Sequence, residues 1–137
     1  MFSIIIPTWN NLPFLQLAVD TIRRHSAHEH EILVHVNDGS DGTLDWVRSQ
    51  GLKHTASPGN IGICFAVNQV AALATRPYLL YLNDDMAVLP GWDARLLDVA
   101  LVDHHARPEL KPRNRRFQPR DLLLLRHVLL LLAQHGE

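Results

Sequence analysis

Long apolar runs alternate with helical spacing along most of this chain. FSIIIPTW (2–9) is continuously apolar and bounded by Pro7, the pattern of a strand buried on both faces. LPFLQLAVDTIRRH (12–25) then sets Leu15, Ala18, Val19 and Ile22 on one helical face, with Pro13 in the first turn. EILVHVNDGS (31–40) reads as a second strand running into a polar turn. GTLDWVRSQG (42–51), with Leu44 and Val47 three apart, reads as a short helix. KHTASPGN (53–60) predicts a brief third strand, and IGICFAVNQVAALAT (61–75) a small-residue helix with Ile63, Val67, Val70 and Ala74 in register. RPYLLYLNDD (76–85) is the next strand and GWDARLLDVALV (91–102) the next helix. Strands alternating with helices predict a parallel α/β sheet with helices on both faces. There is no internal repeat.

In such sheets ligands bind beyond the carboxyl ends of the strands, and the polar residues collect there. Thr8, Trp9, Asn10 and Asn11 follow the first strand, and Asn37, Asp38, Gly39, Ser40 and Asp41 the second. Pro58, Gly59, Asn60 and Gly62 precede the third helix, and Asn83, Asp84 and Asp85 end the fourth strand. Adjacent carboxylates repel and resist dehydration, so Asp84 and Asp85 require positive charge nearby, from a divalent metal or from Arg and Lys. Each feature taken singly has a plainer meaning. Asp38-Gly39 and Asp41-Gly42 are turn and cap signals, Trp9 suits a core, and Asp84-Asp85 suits a helix start. PGNIG has neither the GxGxxG nor the GxxxxGK[ST] spacing of a phosphate loop. Their convergence on one edge is what predicts a site.

Composition narrows the class. At 137 residues, 47% hydrophobic and 20% charged, the chain suits one globular domain, and its net charge of −1 excludes a general nucleic-acid footprint. Residues 1–102 carry 6 Lys/Arg against 10 Asp/Glu, a net of −4, whereas 103–137 carry 7 against 4, a net of +3. The charge changes where the texture changes. HHARPELKPRNRRFQPR (104–120) is rich in Pro and Arg, and DLLLLRHVLLLLAQHG (121–136) predicts a Leu-rich helix interrupted by Arg126 and too short to span a membrane. A lone cysteine, Cys64, precludes an intramolecular disulfide and is expected to be a buried apolar residue. His25, His28 and His30 have a spacing that suits zinc, but without Cys or an ordered carboxylate partner a solvated loop is the expectation. Met1-Phe2-Ser3 runs into the first strand with no signal-peptide pattern, and the expected location is cytoplasmic.

SIIIPTWN, VNDGSDGT, PGNIGICFAVNQVA and YLLYLNDDMAVLPGW, in that order, resemble the nucleotide-sugar-binding half of family 2 glycosyltransferases of the GT-A fold. The resemblance spans domain 1–102; nothing comparable covers 103–137. It implies a GT-A-like α/β/α sandwich, truncated relative to the family, and metal-dependent, inverting transfer from a nucleotide-diphosphate sugar to a saccharide or lipid-linked acceptor. It implies a Mg²⁺ or Mn²⁺ ion bridging the donor phosphates, with Asp85 as the direct ligand and Asp84 contacting the ribose or a metal-bound water. By the same resemblance Asp38 reads the base, Thr8, Trp9 and Asn10 flank it, and Asn60 with its neighbouring glycines lets backbone approach the donor.

In the family the general base is an Asp or Glu in the second half of the domain, and here it is unassigned, because Glu109 and Asp121 sit in no matching motif. The alternative is a non-catalytic, donor-binding remnant. A third reading has the basic, Leu-rich tail resting on the inner face of the membrane or on a partner helix, with packing on the domain the plainer expectation.

Overall fold

A computed structural model describes residues 1–98. The stretch Arg107–Arg120, the run Leu122–Leu132, His104, His105, Glu109 and Asp121 lie outside the described residues. The order is β1 (Phe2–Trp9), α1 (Leu12–His25), β2 (Glu31–Asn37), α2 (Thr43–Ser49), β3 (Lys53–Ser57), α3 (Ile63–Ala71) and β4 (Tyr78–Tyr81). A fourth helix occupies 92–98 of the described chain. All strand pairs are parallel and the sheet order is β3-β2-β1-β4.

That order decides the layers. The first two crossovers step one way, from β1 to β2 to β3, and the third returns past both to β4. Right-handed connections therefore send α1 and α2 to one face and α3 to the other. The core divides accordingly. Ile4, Ile6, Val34, Val36, Leu80 and Leu82 pack with Leu15, Val19 and Ile22 of α1 and Val47 of α2, whereas Ile5 and Leu33 pack with Val67, Val70 and Ala71 of α3. Alternate residues of one strand feed opposite layers, so the runs read as continuously apolar. Among the described residues, no helix is long and apolar enough to cross a membrane.

The predicted α1 face is the buried face, and Pro13 does lie in its first turn. The third helix differs. Its buried residues are Ala66, Val67, Val70 and Ala71, while Ile63, Phe65 and Cys64 are exposed, against the expectation that Ile63 and Cys64 are buried. Only the later turns lie over Ile5 and Leu33; the first turn stands at the loop end, where the sheet does not cover it.

Two carboxylates pin the amino-terminal edge of the sheet. Glu31 accepts hydrogen bonds from Ser3 Oγ (2.6 Å), Thr75 N (2.9 Å) and Thr75 Oγ1 (3.0 Å), and pairs with Lys53. Asp93 is fully buried and accepts from Ala27 N (2.9 Å), His28 N (2.8 Å), His28 Nδ1 (3.1 Å) and His30 Nε2 (2.9 Å). The histidine segment is therefore solvated only in part: Ala27, His28 and Glu29 are exposed, but Asp93 ties the segment down and the His30 side chain is buried. The His30 side chain is 1% exposed and its Nδ1 accepts from Phe2 N at 3.1 Å, which leaves the ring proton on Nε2 facing Asp93. A nitrogen so protonated has no lone pair for zinc. Burial opposes ionisation of Asp93, but these donors prevail and hold its carboxyl far below the ordinary range.

Burial alone would raise the Glu31 pKa, yet the bonds from Lys53, Ser3 and Thr75 hold it at about 2 against an ordinary 4.5. Its stabilising contribution is therefore complete above 4.5 and is lost as pH falls toward 2. Denaturant unfolding of the wild type and Glu31→Gln should show a stability gap that closes across this window; a gap independent of pH would refute the assignment. Asp93→Ala removes the acceptor of four hydrogen bonds, strands the buried His30 ring N–H and should remove on the order of 3 kcal/mol of stability. A thermal or denaturant midpoint left unchanged would show that the segment before β2 is held by other contacts.

Candidate functional site

Because the strands are parallel, every strand-to-helix turn emerges on the same rim. Adjacent strands β1 and β4 send their chains in opposite directions, which makes the gap between them the topological switch point. Thr8, on the α1 face of β1, is buried, and its Oγ1 donates to Asp84 Oδ2 at 2.6 Å across that gap. Asp85 is exposed. Among the described residues neither Asp84 nor Asp85 enters a salt bridge. They occupy a turn, and the next helix begins only at 92, so they are not a helix start. Tyr81 donates its hydroxyl to Asn83, and burial, followed by the charges of Asp84 and Asp85, raises its pKa above the ordinary value.

The turns after β1 and β2 are tied together. Asn10 Nδ2 donates to Asp38 Oδ2 (2.9 Å) and Ser40 Oγ (3.1 Å), and Asn10 Oδ1 accepts from Gly39 N (3.0 Å). Asn10 and Asp38 both have left-handed backbones, with φ of 47° and 64°. Asn and Asp tolerate that region better than other side chains, and reciprocal hydrogen bonds hold them there. Gly39, at φ 78°, has no such latitude: a Cβ would lie 2.9 Å from Val36 Cγ1 and 3.0 Å from Leu44 Cβ. Trp9, 57% exposed, stands at the same rim.

Asp41 is a connector that its turn signal alone did not reveal. Its two carboxylate oxygens accept from Thr43 N and Leu12 N, each at 3.0 Å, joining the starts of α2 and α1. Asn11, at the α1 cap position, makes no capping bond of its own. After β3, Asn60 Oδ1 accepts from Gly62 N at 2.8 Å, so this side chain closes the turn into α3. Asn37, 4% exposed, links three segments, donating to Thr8 O and accepting from Ile61 N, with Ser57 Oγ 3.3 Å from its acceptor oxygen. Its signal in the sequence was an amide at the end of an apolar strand.

Thr8, Trp9, Asn10, Asp38, Asn60, Asp84 and Asp85 thus gather on one rim. The arrangement offers an open carboxylate beside a fixed one at the switch point, a second fixed carboxylate two strands away and an exposed indole between them. That pattern suits an elongated ligand with a cation-binding middle and a planar, N–H-bearing end.

Solved structures share the fold. The structure of S. aureus TarS 1-349 aligns with a TM-score of 0.63 at 20% identity, over 77% of this chain and 33% of that one. Its complex with UDP-GlcNAc gives 0.60 at 19% identity, over 77% and 32%. The mannosyltransferase PcManGT from Pyrobaculum calidifontis, in complex with GDP-Man and Mn²⁺, gives 0.62 at 22% identity, over 72% and 31%. The chain therefore spans about a third of the length of these structures. No curated protein matches its sequence. The sequence itself matches Glycosyl transferase family 2 over residues 3–115, and with the parallel GT-A sheet and the acidic rim at its switch point, this chain belongs to that family.

Proposed function

We propose that this chain binds a nucleotide-diphosphate sugar with Mg²⁺ or Mn²⁺ and takes part in inverting transfer of the sugar to a saccharide or lipid-linked acceptor. The observation that carries the reading is the pair at the switch point, with Asp84 held by Thr8 and Asp85 left open. The donor set fits the ion: Mg²⁺ is held by one or two carboxylates together with substrate phosphates, all hard oxygen ligands. When bound, such an ion supplies the positive charge that a departing nucleoside diphosphate requires.

The chain's own residues divide the remaining work. Asp85 holds the ion. Asp84, oriented by the Thr8 hydroxyl, faces the ribose. Asp38, oriented by Asn10, accepts from a ring N–H of the base, and Trp9 stacks on it. Asn60 shapes the loop so that its backbone meets the donor closely. The complexes of the structural neighbours support this reading, since they hold UDP-GlcNAc and GDP-Man. A second reading is donor binding without catalysis. Donor turnover separates the two: hydrolysis or transfer supports the first, and metal-dependent binding without either supports the second.

Calorimetric titration with UDP and GDP, with Mn²⁺ and then with chelator, tests the assignment. Asp85→Asn should fold normally, being exposed, but should lose at least roughly tenfold in affinity with Mn²⁺, since changes one shell farther out already have that effect. With chelator it should match the wild type. Asp84→Asn should lose less, and Asp38→Asn should bind weakly with or without metal. An Asp85→Asn chain with unaltered affinity and metal response would remove the chemical centre of the reading.

A further inference from the structure

The α3 face of the sheet carries a polar ladder that burial makes expensive unless every group is partnered. His35 is completely buried at the middle of β2, with Nδ1 2.7 Å from Thr55 Oγ1 and Nε2 3.2 Å from Ser57 Oγ. Ser57 has one hydrogen, and the shorter contact takes it, to Gly59 O at 2.7 Å. Ser57 Oγ then accepts from His35 Nε2–H, and Thr55 supplies the proton that faces Nδ1. Next toward the rim is Asn37. Its Nδ2 donates to Thr8 O at 3.2 Å, and its Oδ1 accepts from Ile61 N at 3.0 Å, with Ser57 Oγ 3.3 Å away.

Both ends of this ladder reach the rim. One end is the backbone of Thr8, whose side chain orients Asp84. The other is the loop 58–62, held at Gly59 O by Ser57 and at Ile61 N by Asn37. The loop contains Pro58, Gly59 and Gly62, and Asn60 is occupied with Gly62 N. These two anchors, the buried Asn37 and the half-buried Ser57, therefore fix where the loop stands relative to β1.

We propose that Asn37 is a positioning residue for donor binding, setting the separation between the Thr8–Asp84 side of the rim and the loop 58–62. The assignment rests on the donor-site reading above. Asn37 does not itself meet the donor; it acts through the backbone of Thr8 and Ile61. Its acceptor oxygen is the more important half, because it alone reaches the loop.

The test uses the full chain, with Asn37→Ala, Asn37→Asp and Ser57→Ala. Amide hydrogen exchange without nucleotide should show faster exchange at Ile61 in Asn37→Ala, with β1 and β2 still protected. Titration with UDP or GDP and Mn²⁺ should show affinity about tenfold weaker, the effect of one ordering hydrogen bond. Asn37→Asp keeps the acceptor for Ile61 N but gives up the donor to Thr8 O, and should bring Ile61 exchange back toward the wild-type rate, a rescue that loss of general packing would not give. Ser57→Ala, which frees Gly59 O, should loosen the same loop and weaken binding, and it serves if Asn37→Ala does not fold. Unchanged Ile61 exchange, a loosened loop with unchanged affinity, or Asn37→Asp no better than Asn37→Ala would each overturn the assignment. Wild-type chain that binds neither nucleotide would overturn the donor-site reading and this assignment with it. The exchange measurement, made without nucleotide, tells that failure apart from a loop that Asn37 does not hold.

Discussion

Four parallel strands in the order β3-β2-β1-β4 impose the constraint on which the remaining features depend. Parallel direction puts the ends of all strands on one rim, and the reversal of order at β1 opens a gap that no crossover covers. Asp84 and Thr8 meet across that gap although 76 residues separate them. The same reversal sends α3 to the face opposite α1 and α2, so the loop before α3 approaches the rim from the other side of the sheet. A ligand lying along the rim is therefore flanked from two layers. The helices themselves contribute mainly packing.

Much of this organisation was legible in the sequence, because it depends on short-range periodicity. Ile4-Ile5-Ile6 had to serve both faces of a buried strand, and Leu15, Ala18, Val19 and Ile22 could line only one side of a helix. Polar residues immediately after such strands fall on the carboxyl edge by topology alone, which is why Thr8, Asp38, Asn60 and Asp85 were found together. What was not legible depends on how elements lie against one another. Ile63 and Cys64 have the character of buried residues, but the first turn of α3 stands beyond the sheet's cover. His28 and His30 lacked a carboxylate partner in sequence, and the partner, Asp93, is more than 60 residues distant. Asn37 was visible as a polar strand end, but its three contacts arise only once β1, β2 and β3 are adjacent.

The carboxylates of the two sheet edges differ in how fully they are satisfied, and that difference separates stability from binding. At the amino edge, Glu31 and Asp93 each accept several hydrogen bonds, and both are held ionised by their partners. Neither has capacity left for a ligand. At the rim the satisfaction is graded. Asp41 gives both oxygens to helix-start amides, Asp38 accepts from Asn10, Asp84 accepts from Thr8, and Asp85 accepts nothing within the described residues. The unsatisfied oxygens therefore increase along the rim toward the switch point, where the proposed cation would offset the repulsion between adjacent charges.

Preorganisation explains how such a rim persists in the absence of a ligand. Two non-glycine residues with left-handed backbones, Asn10 and Asp38, sit side by side in turns that face solvent. Isolated turns would relax. Here Asn10 uses both ends of its amide, one on Asp38 and one on Gly39 N, and Asp38 N is tied to Ser57 O at 2.9 Å. The strain at β1 and β2 is thus held by the third strand, which is itself joined through Ser57 to the loop before α3. A ligand meeting this rim finds Asp38 already oriented and loses little ordering entropy in binding to it. The freedom that remains lies at Asp85, where an incoming cation would select the geometry.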